Sequence, residues 1–213
     1  GAWQCSIASV LYAARRIGQD KGGIMALPTY TSALIVGAGQ GLSASLTRLL
    51  SNEGLAVAVA ARDPAKLAPL CAETGARAFR CDAQNEAQVQ RLFADIERER
   101  DAPDVVVYNA SARTRGPFVQ LVPAEVQRAL QVTAFGAFLV AQQAAARMLP
   151  KGHGAILFTG ASASMKGYAQ SAPFAMGKFA LRGLAQSLAR ELSPQGIHVA
   201  HFVIDGEIRG AGR

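Results

Sequence analysis

A chain of 213 residues, half of them apolar and 17% charged, can bury one sizeable core as a single domain. Its net charge of +7 falls on single arginines and short pairs such as Arg15-Arg16, without the interleaved aromatics of a nucleic-acid surface. Cys5, Cys71 and Cys81 lack CxxC spacing, which argues against a disulfide framework and a zinc site and for a reducing, cytoplasmic compartment. His153, His198 and His201 have no ligand spacing with acidic or thiol partners, so no metal is expected.

In chain order, residues 1–24 read as an N-terminal extension outside the folded unit. Gln4, Ser6 and Ser9 break their apolar run, and Met25 followed by ALPTYTSALIV reads as a natural start; a targeting peptide is the alternative. The domain is then 25–213. No segment reaches the apolar length of a membrane span, so a soluble protein is expected. SALIVGA is a continuous buried strand running into glycines, after which Leu42, Leu46, Leu49 and Leu50 mark one helix face ending at Gly54. LAVAVAA is a second strand, followed by an Asp63 cap with Pro64 in the first turn and an irregular helix reaching Gly75. ARAFRC is a third strand, and the next helix buries Val89, Leu92, Phe93 and Ile96. PDVVVYNA, GAILFTG and IHVAHFVI are three more strands, separated by long helices over about Pro123 to Met148 and over 171–192. Six strands with helical crossovers describe a parallel α/β sheet covered on both faces, whose ligands bind at the carboxyl ends of the strands.

The strand ends carry the candidate chemistry. GAGQGLS places Gly37, Gly39, Gln40, Gly41 and Leu42 where a strand opens into a helix. Such a turn lets backbone amides and the helix dipole meet a pyrophosphate, although the GxGxxG spacing fails at Leu42. Strand two ends at Arg62, which suits the 2′-phosphate of NADP better than the 2′-hydroxyl of NAD, with Asp63 used as a helix cap. Asp82 accepts from an adenine amino group or caps the following helix. Asn109, Ala110 and Ser111 give the small end of strand four that a flat cofactor requires, although Asn109 could equally satisfy loop backbone groups. Lys178 follows Phe174 by one helical turn, so both line the same feature.

Together these residues resemble the short-chain dehydrogenase/reductase superfamily over about residues 30 to 206. VGAGQGLS is similar to its TGxxxGxG motif, NAS to its NAG motif, and FAMGK with ALRGLAQSLARELSPQGIHV to its YxxxK helix and next strand. The resemblance implies a Rossmann-type doubly wound sheet of order 3-2-1-4-5-6, here without the seventh strand of the family. It also implies hydride transfer between a nicotinamide and a carbonyl or alcohol, and a dimer or tetramer paired through the two long helices. Of the family's four catalytic positions, the lysine carries over to Lys178, which would hold the nicotinamide ribose. The tyrosine position is Phe174, the serine position is Ala161, and the relay asparagine position is Thr133. Substitute hydroxyls are Ser162, Ser164, Ser171 and Tyr168, with Ser162 the first choice.

Two readings result. One is an NADP(H)-dependent oxidoreductase acting on a small carbonyl or alcohol, with Lys178 and Ser162 in the catalytic site and solvent as the proton source. The other is an NADP(H)-binding sensor or partner subunit without turnover, which Phe174 and Ala161 favour.

Overall fold

Ser32–Val36 forms strand β1 because five consecutive apolar or small residues are covered on both sides. The computed structural model describes residues 29–205, so the expectations for residues 1–24 and for chain beyond the sixth strand lie outside the described residues. Helix α1 (Leu42–Asn52) follows, then β2 (Ala56–Ala61), a 3₁₀ turn over Pro64–Leu67, α2 (Ala68–Thr74) and β3 (Arg77–Arg80). Next come α3 (Glu86–Glu99), β4 (Val105–Tyr108), α4 (Pro123–Leu130), a π turn over Gln131–Phe135 and α5 (Gly136–Met148). Among the described residues β5 (Gly154–Thr159), α6 (Ala172–Leu192) and β6 (Ile197–Phe202) follow. All six strands are parallel in the order β3-β2-β1-β4-β5-β6, as the resemblance implied.

Successive side chains of a strand point to opposite faces, and the core divides accordingly. Leu34 and Val36 of β1 join Phe93, Leu139 and Leu181 of α3, α5 and α6 on one face. Ala33 and Ile35 join Leu46 and Leu50 of α1 on the other. Each such large side chain, removed from water, contributes about 1.5–3 kcal/mol.

Four expectations need correction. Asp63 precedes the 3₁₀ turn but makes no side-chain cap hydrogen bond; its carboxylate instead pairs with Lys66 at 3.5 Å. Asp82 does not cap α3, because the helix starts further along and Asn85 Oδ1 accepts from the Gln88 amide at 3.0 Å. The long helix from Pro123 is not uniform, since its middle widens into the π turn. The Tyr108 hydroxyl of β4 donates to the Val132 carbonyl there, and a Cβ on Gly136 would stand 2.5 Å from that hydroxyl. Last, the Pro123–Lys151 stretch is long and apolar enough to cross a membrane by length and composition, contrary to expectation. It is an amphipathic core helix, half buried against the sheet and α6.

At the amino ends of the strands, away from the ligand edge, buried Asp104 ties β1 to β4. Its Oδ2 accepts from the Thr31 amide at 2.8 Å and the Thr31 hydroxyl at 2.9 Å.

Candidate active-site cleft

The glycine turn is built by backbone demands. Gly37 has φ +85°, and a Cβ on it would lie 2.3 Å from the Ala110 amide nitrogen, so only glycine lets the ends of β1 and β4 approach. The amides of Gly37 and Ala38 both donate to the Ala60 carbonyl at 3.0 Å, and the Gly39 amide donates to Ser43 Oγ at 2.8 Å. Around Gly39 and Gly41 the space is open, with no atom within 4 Å of a Cβ placed there. Gly41 stands at the cap of α1 and supplies no side-chain acceptor, leaving the first amides of the helix available to an anion. Gln40 is exposed on the same turn.

The neighbouring strand ends lie along the same edge. Arg62 is exposed just beyond β2 and has no ion-pair partner among the described residues. Asp82, beyond β3, is engaged locally, accepting from the Gln84 amide at 3.3 Å and side-chain Nε2 at 3.0 Å. Asn109 is a bracket between strands. Its Nδ2 donates to the Gly37 carbonyl at 3.2 Å and its Oδ1 accepts from Thr159 Oγ1 at 2.9 Å, which matches the loop-satisfying alternative. Cys81 is not a nucleophile at rest, because burial, reinforced by Asp82, pushes its thiol up to about 11.

Beyond β1, β4 and β5 opens a cleft of about 540 Å³. It brings together Leu42 of the glycine turn, Asn109, Ser111, Ser162, Phe174 and Lys178. Arg62 and Asp82 do not line it. Of the substitute hydroxyls, Ser162, Tyr168 and Ser171 border the cleft. Ser164 is fully buried and spends its hydroxyl on the Ala161 carbonyl at 2.5 Å. Ala161 lies in the cleft wall, and Thr133 sits in the π turn, its hydroxyl accepting from the Ala112 amide at 3.2 Å. Thr133 also packs on α6, where a Cβ on Gly177 would come within 3.0 Å of it.

Lys178 is the residue of the cleft lining whose chemistry the fold alters most. It is only 4% exposed, and its Nζ donates to the Thr159 carbonyl at 2.7 Å, with no carboxylate in the cleft lining. Burial, then the nearby Arg113 charge, lowers its ammonium pKa to about 8. Phe174, 8% exposed, lies between two cations: the Arg113 guanidinium carbon is 4.1 Å from its ring centre and Lys178 Nζ 5.6 Å. Beside Gly160 of the cleft lining, burial and then the charges of Lys178 and Arg182 depress the His201 imidazole pKa. Sequence reasoning missed Arg113, Arg115 and Gln170 in the cleft wall and Thr159 as the lysine's acceptor. The two arginines were visible only as the alternation in ARTRG directly after the NAS motif.

Comparison with known proteins places this geometry. The family model for short chain dehydrogenases matches residues 31–206. The 3-oxoacyl-acyl-carrier-protein reductase MabA of Mycobacterium avium is 29% identical over 177 residues, covering 83% of this chain and 67% of that protein. A short-chain dehydrogenase from Rhodopseudomonas palustris is 35% identical and superposes with a TM-score of 0.78, covering 84% of this chain and 86% of its own. The sorbitol-6-phosphate 2-dehydrogenase SrlD of Erwinia amylovora is 28% identical with a TM-score of 0.76, covering 81% and 70%.

Proposed function

The chain belongs to the short-chain dehydrogenase family, and we propose that it is a cytoplasmic NADP(H)-dependent oxidoreductase acting on a small carbonyl or alcohol. The observation that carries this reading is the cleft in which Leu42 of the glycine turn meets Ser162 and the buried Lys178. The residues fit the dinucleotide: open space at Gly39 and Gly41 beside an uncapped helix start, and an exposed Arg62 without a carboxylate partner among the described residues. When bound, NADPH supplies a hydride. In this assignment the amides of Gln40, Gly41 and Leu42 receive the pyrophosphate, the Gly39 amide being held by Ser43 Oγ, with Gly37 keeping the turn close to Ala110. Arg62 binds the 2′-phosphate, Asp82 the adenine amino group, and Asn109, Ala110 and Ser111 flank the nicotinamide half. Lys178 donates from its ammonium to the ribose.

Ser162 polarises the substrate oxygen by donating its hydroxyl. Phe174 has no proton to give, so water entering the open cleft delivers it. Losing a positioned acid costs about 10²–10⁴ in rate, so turnover is slow. The same Phe174 favours the second reading, an NADP(H)-binding subunit without turnover.

NADPH binding followed by a screen of aldehydes and ketones, on the wild type and Phe174→Tyr, separates these readings. Slow turnover by the wild type and a gain of about 10²-fold or more in Phe174→Tyr supports the oxidoreductase. Binding without turnover in either supports the sensor. No NADPH binding rejects both.

A further inference from the structure

Part of the cleft lining is cationic. Arg113, Arg115 and Lys178 belong to it, and no aspartate or glutamate does among the described residues. The remaining polar lining is neutral, chiefly the hydroxyls of Ser111, Ser162 and Ser171. Arg113 and Arg115 are exposed and so reachable from solvent, and cations gathered along a concave site focus a positive field that raises the local concentration of an anion. Neither Arg113 nor Arg115 has a carboxylate partner among the described residues, and what sets them apart from other unpaired arginines such as Arg62 is that both line the cleft.

These two arginines do not sit on a loose loop. Their segment is pinned at one end by the Ala112 amide on Thr133 Oγ1 at 3.2 Å and at the other by the Gly116 amide on the Gln170 carbonyl at 3.1 Å. Gln170 adopts φ +56°, a left-handed backbone that a non-glycine residue enters at a cost, which marks this turn as held by its surroundings. Arg113 is further oriented by its stacking on Phe174. A fixed guanidinium is well suited to grip a planar carboxylate or a phosphate with two parallel hydrogen bonds.

We propose that Arg113 and Arg115 form an anion-binding end of the cleft, so that the substrate is a small carbonyl or alcohol carrying a carboxylate or phosphate group. The substrate half of this statement rests on the oxidoreductase reading above; the anion site itself does not. Phe174 then has a positive role in place of the missing hydroxyl, as the surface that aims Arg113. An anion beside Arg113 also relieves the repulsion on Lys178, so its binding near pH 8 should draw in part of a proton.

The test is calorimetric titration with oxalate, inorganic phosphate and, as a neutral control, glycerol, each with and without saturating NADPH. The titrations use wild type, Arg113→Gln/Arg115→Gln and Arg113→Lys/Arg115→Lys. Expected are saturable binding of an anion but not of glycerol, at least a tenfold loss in the glutamine variant, and partial recovery in the lysine variant. Proton uptake should appear when buffers of different ionisation enthalpy are compared at about pH 8. Oxalate binding tighter than phosphate assigns a carboxylate substrate, and the reverse assigns a phosphate ester. No saturable anion binding, equal binding by a glutamine variant that melts with the wild type, or complete displacement by NADPH overturns the proposal. In the last case the arginines serve the cofactor's own phosphates. Failure of NADPH to bind, with anion binding intact, would count against the oxidoreductase reading alone.

Discussion

Replacing Lys178 by methionine should change stability in a pH-dependent way that reveals why the lysine is there. A depression from the usual 10.5 to about 8 means that the fold disfavours the charged form by about 3 kcal/mol. Between these two values the unfolded chain holds a proton that the folded chain has released, so stability rises with pH across that window. Below pH 8 the wild type bears the full penalty, and above about 10.5 it bears none. Lys178→Met bears none at any pH, while forfeiting the bond to the Thr159 carbonyl, worth about 1.5–3 kcal/mol as a charged hydrogen bond. The stability of the variant relative to wild type should therefore fall by about 3 kcal/mol from pH 7 to about 10.5, at about 1.4 kcal/mol per pH unit. Urea unfolding of both proteins across that range measures it. A relative stability independent of pH would refute the reasoning, because the lysine would then be an ordinary structural residue. The expected slope marks a side chain that costs the apo fold something and is kept for a ligand.

The other predictions address separate parts of the structure. Gly37→Ala should lose about 3 kcal/mol or more, since left-handed backbone strain adds to a contact with the Ala110 backbone that neither strand end can relieve. Gly39→Ala should melt with the wild type, because nothing lies near its Cβ, yet bind NADPH at least about tenfold more weakly; thermal melts and fluorescence titration read both. Asp104→Asn should cost about 2 kcal/mol at neutral pH by weakening the bonds from Thr31. Burial by itself would raise the Asp104 pKa, but the Thr31 bonds, the Lys151 charge and Ser32 together outweigh it and hold the carboxyl below its usual value. Its contribution is thus fully present above the unfolded value of about 3.9 and is lost as pH falls through the lower folded value; acid unfolding curves of the asparagine variant should lack that loss. Phe135 and Phe138 stack with ring centres 6.0 Å apart and are 43% and 42% exposed, beside a groove between α5 and α6. If that face pairs two copies, Phe138→Glu should yield a monomer by light scattering where the wild type is a dimer or tetramer.

The four central strands were legible because a strand buried on both faces is a nearly continuous apolar run, as SALIV and GAILFT are, whereas the edge strands β3 and β6 carry polar residues and were read from their place between helices. The glycine turn was legible because φ +85° at Gly37 leaves few other residues that fit. What escaped the sequence depends on contacts made at a distance. The π turn over Gln131–Phe135 has the same apolar spacing as the helices around it, and the Tyr108 hydroxyl that meets its freed carbonyl comes from another layer. The cap of α3 was misplaced because Asp82 and Asn85 are both suitable residues, and only the backbone path chooses between them. Arg113 and Arg115 lie in an irregular segment without periodicity, and their place in the cleft lining, with Arg113 against Phe174, follows from anchors at Thr133 and Gln170. Lys178 was recognised as a site candidate from its spacing to Phe174, but its lowered pKa depends on burial that only the packed helix provides.

The central claim, an NADP(H) site running from the glycine turn past Arg62 to Lys178, is tested most directly by fluorescence titration of the chain with NADPH and NADH. The account predicts NADPH binding about tenfold or more tighter than NADH, the preference lost in Arg62→Ala and both nucleotides weakened in Lys178→Ala. Binding of neither nucleotide, or equal binding that Arg62→Ala leaves unchanged, would contradict it.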